Sequence, residues 1–246
     1  MAKFVLVAHP RSCSTWIMRQ LRRSKVVKVI KDDFGELTTP GYRWWTRKNL
    51  GLEPLEGDPE VWDHDQYYAE RFFLQRPNGA FKVLGHANSA AFYRWLYAQD
   101  DITFATLERT DMASAIASEL SCIIRLRNNG EKDAFKNPAR KTKIRYADML
   151  KFDFKSVDYR RARMLEFFYF SIAHKCTRWV DFFKDHPRTI AALRSEDLSH
   201  GGGRILEDFA ETQFDWAKLV PQSHYSEIFE DWKLYEDDIR DILGII

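Results

Sequence analysis

Five short apolar runs set the frame for this chain: Phe4–Ala8, Val26–Ile30, Gly79–Leu84, Ile102–Leu107 and Thr189–Leu193. Runs of this length, rich in Val, Ile, Phe and Leu, read as strands buried on both faces. Between them lie segments with apolar residues at helical spacing: Ser14–Arg23, Asp63–Gln75, Ser89–Gln99, Met112–Arg127, a long aromatic-rich Val157–Lys184, Arg204–Thr212 and a charged tail Ser226–Leu243. Alternation of this kind predicts a three-layer α/β/α fold with a central parallel sheet. Such sheets bind ligands beyond the carboxyl ends of their strands. AHPRSCSTW (8–16), KDDFGE (31–36), LGH (84–86) and LERTD (107–111) all fall there.

The length, 246 residues, suits one α/β domain or two small ones, and the chain is read as a single domain with an irregular excursion at 38–60 and a polar, basic loop or lid at 128–151. A net charge of +2 is too balanced for a general nucleic-acid binder, so any anion site has to be local. Cys13, Cys122 and Cys176 are too few and scattered for a disulfide framework or a zinc site. They are read as reduced thiols in a cytoplasmic protein. No run is long enough to span a bilayer, and the N-terminus reads as a first strand rather than a signal peptide.

PRSCSTW follows the first strand and opens the first helix. A helix start offers unpaired N–H groups and the positive end of the dipole, which together favour an anion. Ser12, Ser14 and Thr15 add hydroxyls, Arg11 adds a cationic fork, and either Ser12 or Ser14 is the expected helix cap. The ATP-binding pattern GxxxxGKS or GxxxxGKT is absent. A second cation–hydroxyl pair, Arg109 with Ser118, follows the fourth strand, and Asp111 is the ordinary ion-pair partner for that Arg.

PRSCSTW resembles the 5′-phosphosulfate loop of the sulfotransferases that use 3′-phosphoadenosine 5′-phosphosulfate (PAPS), with Cys13 where glycine is usual. The resemblance implies the P-loop-NTPase-like sulfotransferase fold. It puts Arg11, Ser12, Cys13, Ser14, Thr15 and Trp16 on the phosphosulfate, Arg11 sitting on the bridging oxygen. Arg109 and Ser118 are similar to the family's 3′-phosphate pair. TIAALRSEDL (189–198) resembles a late strand ending in LRYEDL, with Ser195 replacing Tyr. The family's C-terminal RKGxxG loop is missing, and the segment around Arg140–Arg145 or the tail is expected to close the adenosine side.

Sulfonate transfer needs a base, cations at the sulfonate and leaving phosphate, and in-line alignment. Glu36 is the favoured base, with His86 second; His9 is expected to order the turn. Lys82 either reaches the sulfonate or snorkels as a structural lysine. Tyr42, Trp44, Trp45, Tyr67 and Tyr68 can line an acceptor cleft or pack in a core. The expectation is transfer from PAPS to a hydroxyl, less readily an amine, of a small-molecule or carbohydrate acceptor, leaving adenosine 3′,5′-bisphosphate. No metal, nucleic acid or membrane is expected, and a homodimer stays open. The alternatives are an ATP-dependent small-molecule kinase and a non-catalytic nucleotide-binding protein.

Overall fold

The computed structural model describes residues 2–30, 37, 65–85, 87–128, 143–151, 161–219 and 223–243. The chain forms two compact units: Met1–Glu108 with Cys176–Leu219, and Arg109–Lys175 with Val220–Ile246.

The first unit is built on five parallel strands, β1 (Lys3–Ala8), β2 (Lys28–Val29), β3 (Gly79–Leu84), β4 (Ile102–Glu108) and β5 (Thr189–Arg194), in the order β2-β3-β1-β4-β5. Every strand the periodicity predicts is present. β2 is shorter than expected, since only Lys28 and Val29 pair with β3 before Ile30 N–H closes on the Ala80 carbonyl.

Alternate side chains of the strands serve two cores. Val5, Val7, Phe81, Val83 and Phe104 pack under α2 (Asp65–Gln75), α3 (Ala90–Tyr97) and α6 (Thr177–Lys184). Phe4, Leu6, Ala8, Ala80, Ala105 and Leu107 pack under α1 (Ser14–Leu21) and α7 (Arg204–Ala210). Helices on both faces of a parallel sheet make the three-layer α/β/α architecture. Tyr68 belongs to the first of these cores, with Tyr67 packed edge-on against it. Connections leave β1 toward β3 and β2, and leave β4 toward β5. Strand order therefore reverses between β1 and β4, the place where open parallel sheets carry their ligand crevice.

The second unit is helical: α4 (Met112–Asn128), a 3₁₀ turn Tyr146–Lys151, α5 (Arg161–Phe168), α8 (Tyr225–Ile228) and α9 (Trp232–Leu243) around Ile116, Leu120, Tyr146, Phe229 and Tyr235. The tail is not the single helix its periodicity predicts. Phe229 bridges to Ile144, Glu230 N–H donates to the Ile144 carbonyl (2.9 Å), and the Asp231 carboxylate accepts from the Tyr146 and Ala147 amides (2.6 and 3.0 Å). These bonds take the backbone out of helical geometry between α8 and α9. The long helix also departs from expectation: between α5 and α6 it is wound as a π-helix over Tyr169–Cys176. Residues 157–160 lie outside the described residues. Among the described residues no helix is long and apolar enough to cross a membrane.

Candidate functional site

The β1–α1 turn is closed without glycine. His9 N–H donates to the Leu107 carbonyl (2.9 Å), extending the ladder by one residue, and the Ser12 hydroxyl donates back to the His9 carbonyl (2.5 Å). Between and after them Arg11 (φ 57°) and Cys13 (φ 65°) adopt left-handed backbone. A β-carbon in that region costs on the order of 1 kcal/mol per residue. This gives a conformational reason for the glycine that the resembling loop carries at the position of Cys13: the backbone itself asks for a positive φ.

Cys13, not Ser12 or Ser14, is the N-cap of α1, and it makes no side-chain cap. Helical bonding starts with the Trp16 and Ile17 amides on the Cys13 carbonyl (2.9 and 3.2 Å). The first turn holds no acidic residue. The Ser14 and Thr15 amides thus belong to the helix end whose N–H groups lack intrahelical acceptors.

Lys82 lies mid-strand in β3, opposite Leu6, and is 3% exposed. It does not snorkel. Its ammonium reaches the start of α1 and donates to Thr15 Oγ1 (2.8 Å) and Ser14 Oγ (3.3 Å). An ammonium can only donate, so each hydroxyl accepts here and its own proton is free to point elsewhere. A buried positive charge behind two hydroxyls, at the positive end of a helix, makes a surface that attracts an anion. Ser12 is buried with its hydroxyl committed to the turn, and Arg11 is half-buried.

Trp16 stands in the first turn of α1 in an aromatic group that no sequence spacing reveals. Its ring is 4.9 Å from Trp216 and 6.0 Å, edge-on, from Phe214. The segment carrying these partners is tied to α1 by Asp215 N–H on Gln20 Oε1 (3.1 Å). Gly203 leaves room for Trp216: a β-carbon there would sit 2.4 Å from the indole.

At the strand ends of the same unit, Glu108 accepts from Lys184 Nζ (2.6 Å) and Arg194 Nε (2.9 Å). Burial pulls its carboxyl upward, but the hydrogen bonds and charges of Lys184 and Arg194 outweigh this and hold it below the usual carboxylate range. In the late motif, Ser195 donates to Glu196 (3.0 Å) and the Asp197 carbonyl accepts from Gly202 N–H (3.0 Å).

The second unit holds the other predicted pair. Arg109 is 3% exposed and its Nη2 donates to the Ser223 carbonyl (3.2 Å). Asp111 caps α4 through the Ser114 amide (3.0 Å), and the buried Ser114 hydroxyl accepts from Tyr225 N–H (3.1 Å). Ser118 is half-buried two turns into α4. Tyr225 donates to Glu236 (2.6 Å), and burial together with that carboxylate pushes its phenol up to about 12. Tyr235, donating to the Ala113 carbonyl, is pushed well above its ordinary value by burial and by Asp111.

Glu36 and His86 lie outside the described residues, as do Tyr42, Trp44, Trp45 and Arg140. No protein-family model matches the chain, and no curated protein matches it.

Proposed function

We propose that the chain is a sulfotransferase that moves a sulfonate from PAPS to the hydroxyl of a small-molecule or carbohydrate acceptor. The observation that carries this reading is Lys82, held in β3 with its ammonium on the Ser14 and Thr15 hydroxyls at the start of α1. On this reading the two hydroxyls and the first α1 amides grip the phosphosulfate oxygens, and Arg11 balances charge on the leaving phosphate. Trp16, its ring tilted against Trp216, is the candidate to stack on the nucleobase. Arg109 and Ser118 remain the candidates for the 3′-phosphate by resemblance. The acceptor oxygen forms the new S–O bond, the bond from sulfur to the 5′-phosphate oxygen breaks, and the acceptor proton passes to a base, for which Glu36 and His86 stand as candidates.

A kinase would carry its lysine in the loop itself, beside a Ser or Thr; here the cation comes from the neighbouring strand. A binding-only role is the third reading: Cys13 and Ser195 stand where the resembling motifs carry Gly and Tyr, and the RKGxxG loop is missing. Calorimetric titration, followed by a sulfonate-transfer assay, separates the three. Adenosine 3′,5′-bisphosphate binding at least tenfold tighter than adenosine monophosphate or Mg²⁺–ATP supports the reading. Equal or tighter binding of Mg²⁺–ATP favours the kinase. Bisphosphate binding without sulfonate transfer from PAPS across an acceptor panel favours the binding-only role.

A further inference from the structure

Two left-handed non-glycine residues within one short turn need something to hold them. The turn is anchored at its first residue. His9 is 2% exposed, bonded through its N–H to β4 and through its carbonyl to Ser12. Its ring has a third anchor: Nε2 lies 3.3 Å from Thr177 Oγ1, the first residue of α6.

Thr177 is itself rigidly seated. The π-wound stretch ends at Cys176, whose backbone lies against Gly85 at the end of β3. A β-carbon on Gly85 would come within 2.4 Å of Cys176 Cα, so the helix start approaches the strand end as closely as glycine permits. One turn on, Trp179, Val180 and Phe183 bury α6 in the core. The hydroxyl of Thr177 is thereby a fixed point beside the C-terminal end of β1.

We infer that Thr177 is a positioning residue for the β1–α1 turn, acting through the His9 ring to fix the shape in which Arg11–Thr15 meets an anion. The inference rests on the anion-binding reading of that turn and adds a residue far from it in sequence. With the ring held at Thr177 and the amide held at Leu107, the His9 carbonyl is aimed at Ser12, and the Ser12 bond closes the turn over Arg11. Without the Thr177 hydroxyl the ring loses one of its anchors, and the left-handed backbone at Arg11 and Cys13 is held less firmly.

The test uses the full chain with Thr177→Val, nearly isosteric but lacking the hydroxyl, and Thr177→Ser, which restores it. Thr177→Ala replaces the Val variant if that fails to fold. The first readout is the backbone amide spectrum and amide exchange of the ligand-free protein. The expected result is displaced signals and at least tenfold faster exchange at Arg11–Thr15 in Thr177→Val, no comparable change at β4, and wild-type behaviour in Thr177→Ser. The second readout is adenosine 3′,5′-bisphosphate affinity, expected to fall five- to tenfold in Thr177→Val and to recover in Thr177→Ser. Wild-type turn signals in Thr177→Val, or changes spread evenly through β1, β4 and α6, overturn the inference. If the wild type binds no bisphosphate, the sulfotransferase reading fails, while the amide readout still decides whether Thr177 shapes the turn.

Discussion

At the β1–α1 turn the helix opens with no carboxylate in its first turn and no side-chain cap, and a buried lysine pushes two hydroxyls toward an acceptor role. At the β4–α4 turn the same recipe of strand, turn, arginine and helix ends differently. Asp111 already supplies the negative charge at the start of α4, Ser114 is bonded to Tyr225 N–H, and Arg109 holds a backbone carbonyl. One junction opens its helix with a lysine behind two hydroxyls; the other opens with a carboxylate and an arginine that holds a backbone carbonyl through one of its nitrogens. What differs is the charge already placed at the helix start.

That difference is sharpest in what removal of each arginine or its neighbours does to stability. Arg109→Ala leaves the Ser223 carbonyl without its donor and a large void beside α4, and is expected to destabilise the protein by about 3 kcal/mol in urea unfolding. A loss under about 1 kcal/mol would show that the Arg109 bond to Ser223 does not anchor the second junction. Asp111→Ala removes the α4 cap and is expected to cost about 1 kcal/mol in the same measurement. Thr15→Val at the first junction, by contrast with Arg109→Ala, takes one acceptor from the Lys82 ammonium and is expected to cost only about 1 kcal/mol while weakening bisphosphate binding. Equal stability losses in Thr15→Val and Arg109→Ala would erase the distinction.

Glu108→Gln sharpens the comparison from the strand ends. The folded carboxyl lies below its ordinary value, so its stabilisation is complete above the normal carboxylate range and is lost as pH falls through the folded value. The ion pairs are partly exposed, so the expected deficit of Glu108→Gln at neutral pH is only about 1 kcal/mol. That deficit should close on acidification below about pH 4; a deficit that persists in acid would mean the side chain acts by packing rather than charge. The smallest expected effect is Cys13→Gly. Relief of a left-handed β-carbon and the added chain entropy nearly offset, giving a gain of about 0.5 kcal/mol, read as a slightly higher melting temperature.

The strands were legible because burial on two faces leaves continuous apolar runs, and Gly79–Leu84 matches its predicted limits. The site's cation was half legible. Lys82 inside an apolar strand is conspicuous, but only the register with β1 and the position of α1 show that its ammonium meets Ser14 and Thr15. The cap was misread because Ser12 is consumed in closing the turn, and Cys13 takes a backbone conformation that residue preference alone assigns to glycine. Trp216, Thr177 and the Ser223 carbonyl were illegible for one reason: each meets its partner across a hundred residues or more, and no local period encodes such a pairing. The break in the tail was missed because its amphipathic pattern runs through Phe229–Asp231, where bonds to Ile144, Tyr146 and Ala147 override helix propensity.

The central claim is that Lys82 powers an anion site at the start of α1. Its most direct test is calorimetric titration of adenosine 3′,5′-bisphosphate into wild type and Lys82→Met, with melting temperatures taken in parallel. A charge-assisted hydrogen-bond network of this kind predicts a loss of affinity of about ten- to a hundredfold. The melting temperature of Lys82→Met should be unchanged or higher, since a buried charge has been replaced by an apolar chain of similar length. Unchanged affinity in Lys82→Met, with the fold intact, would contradict the account and leave Lys82 a structural lysine.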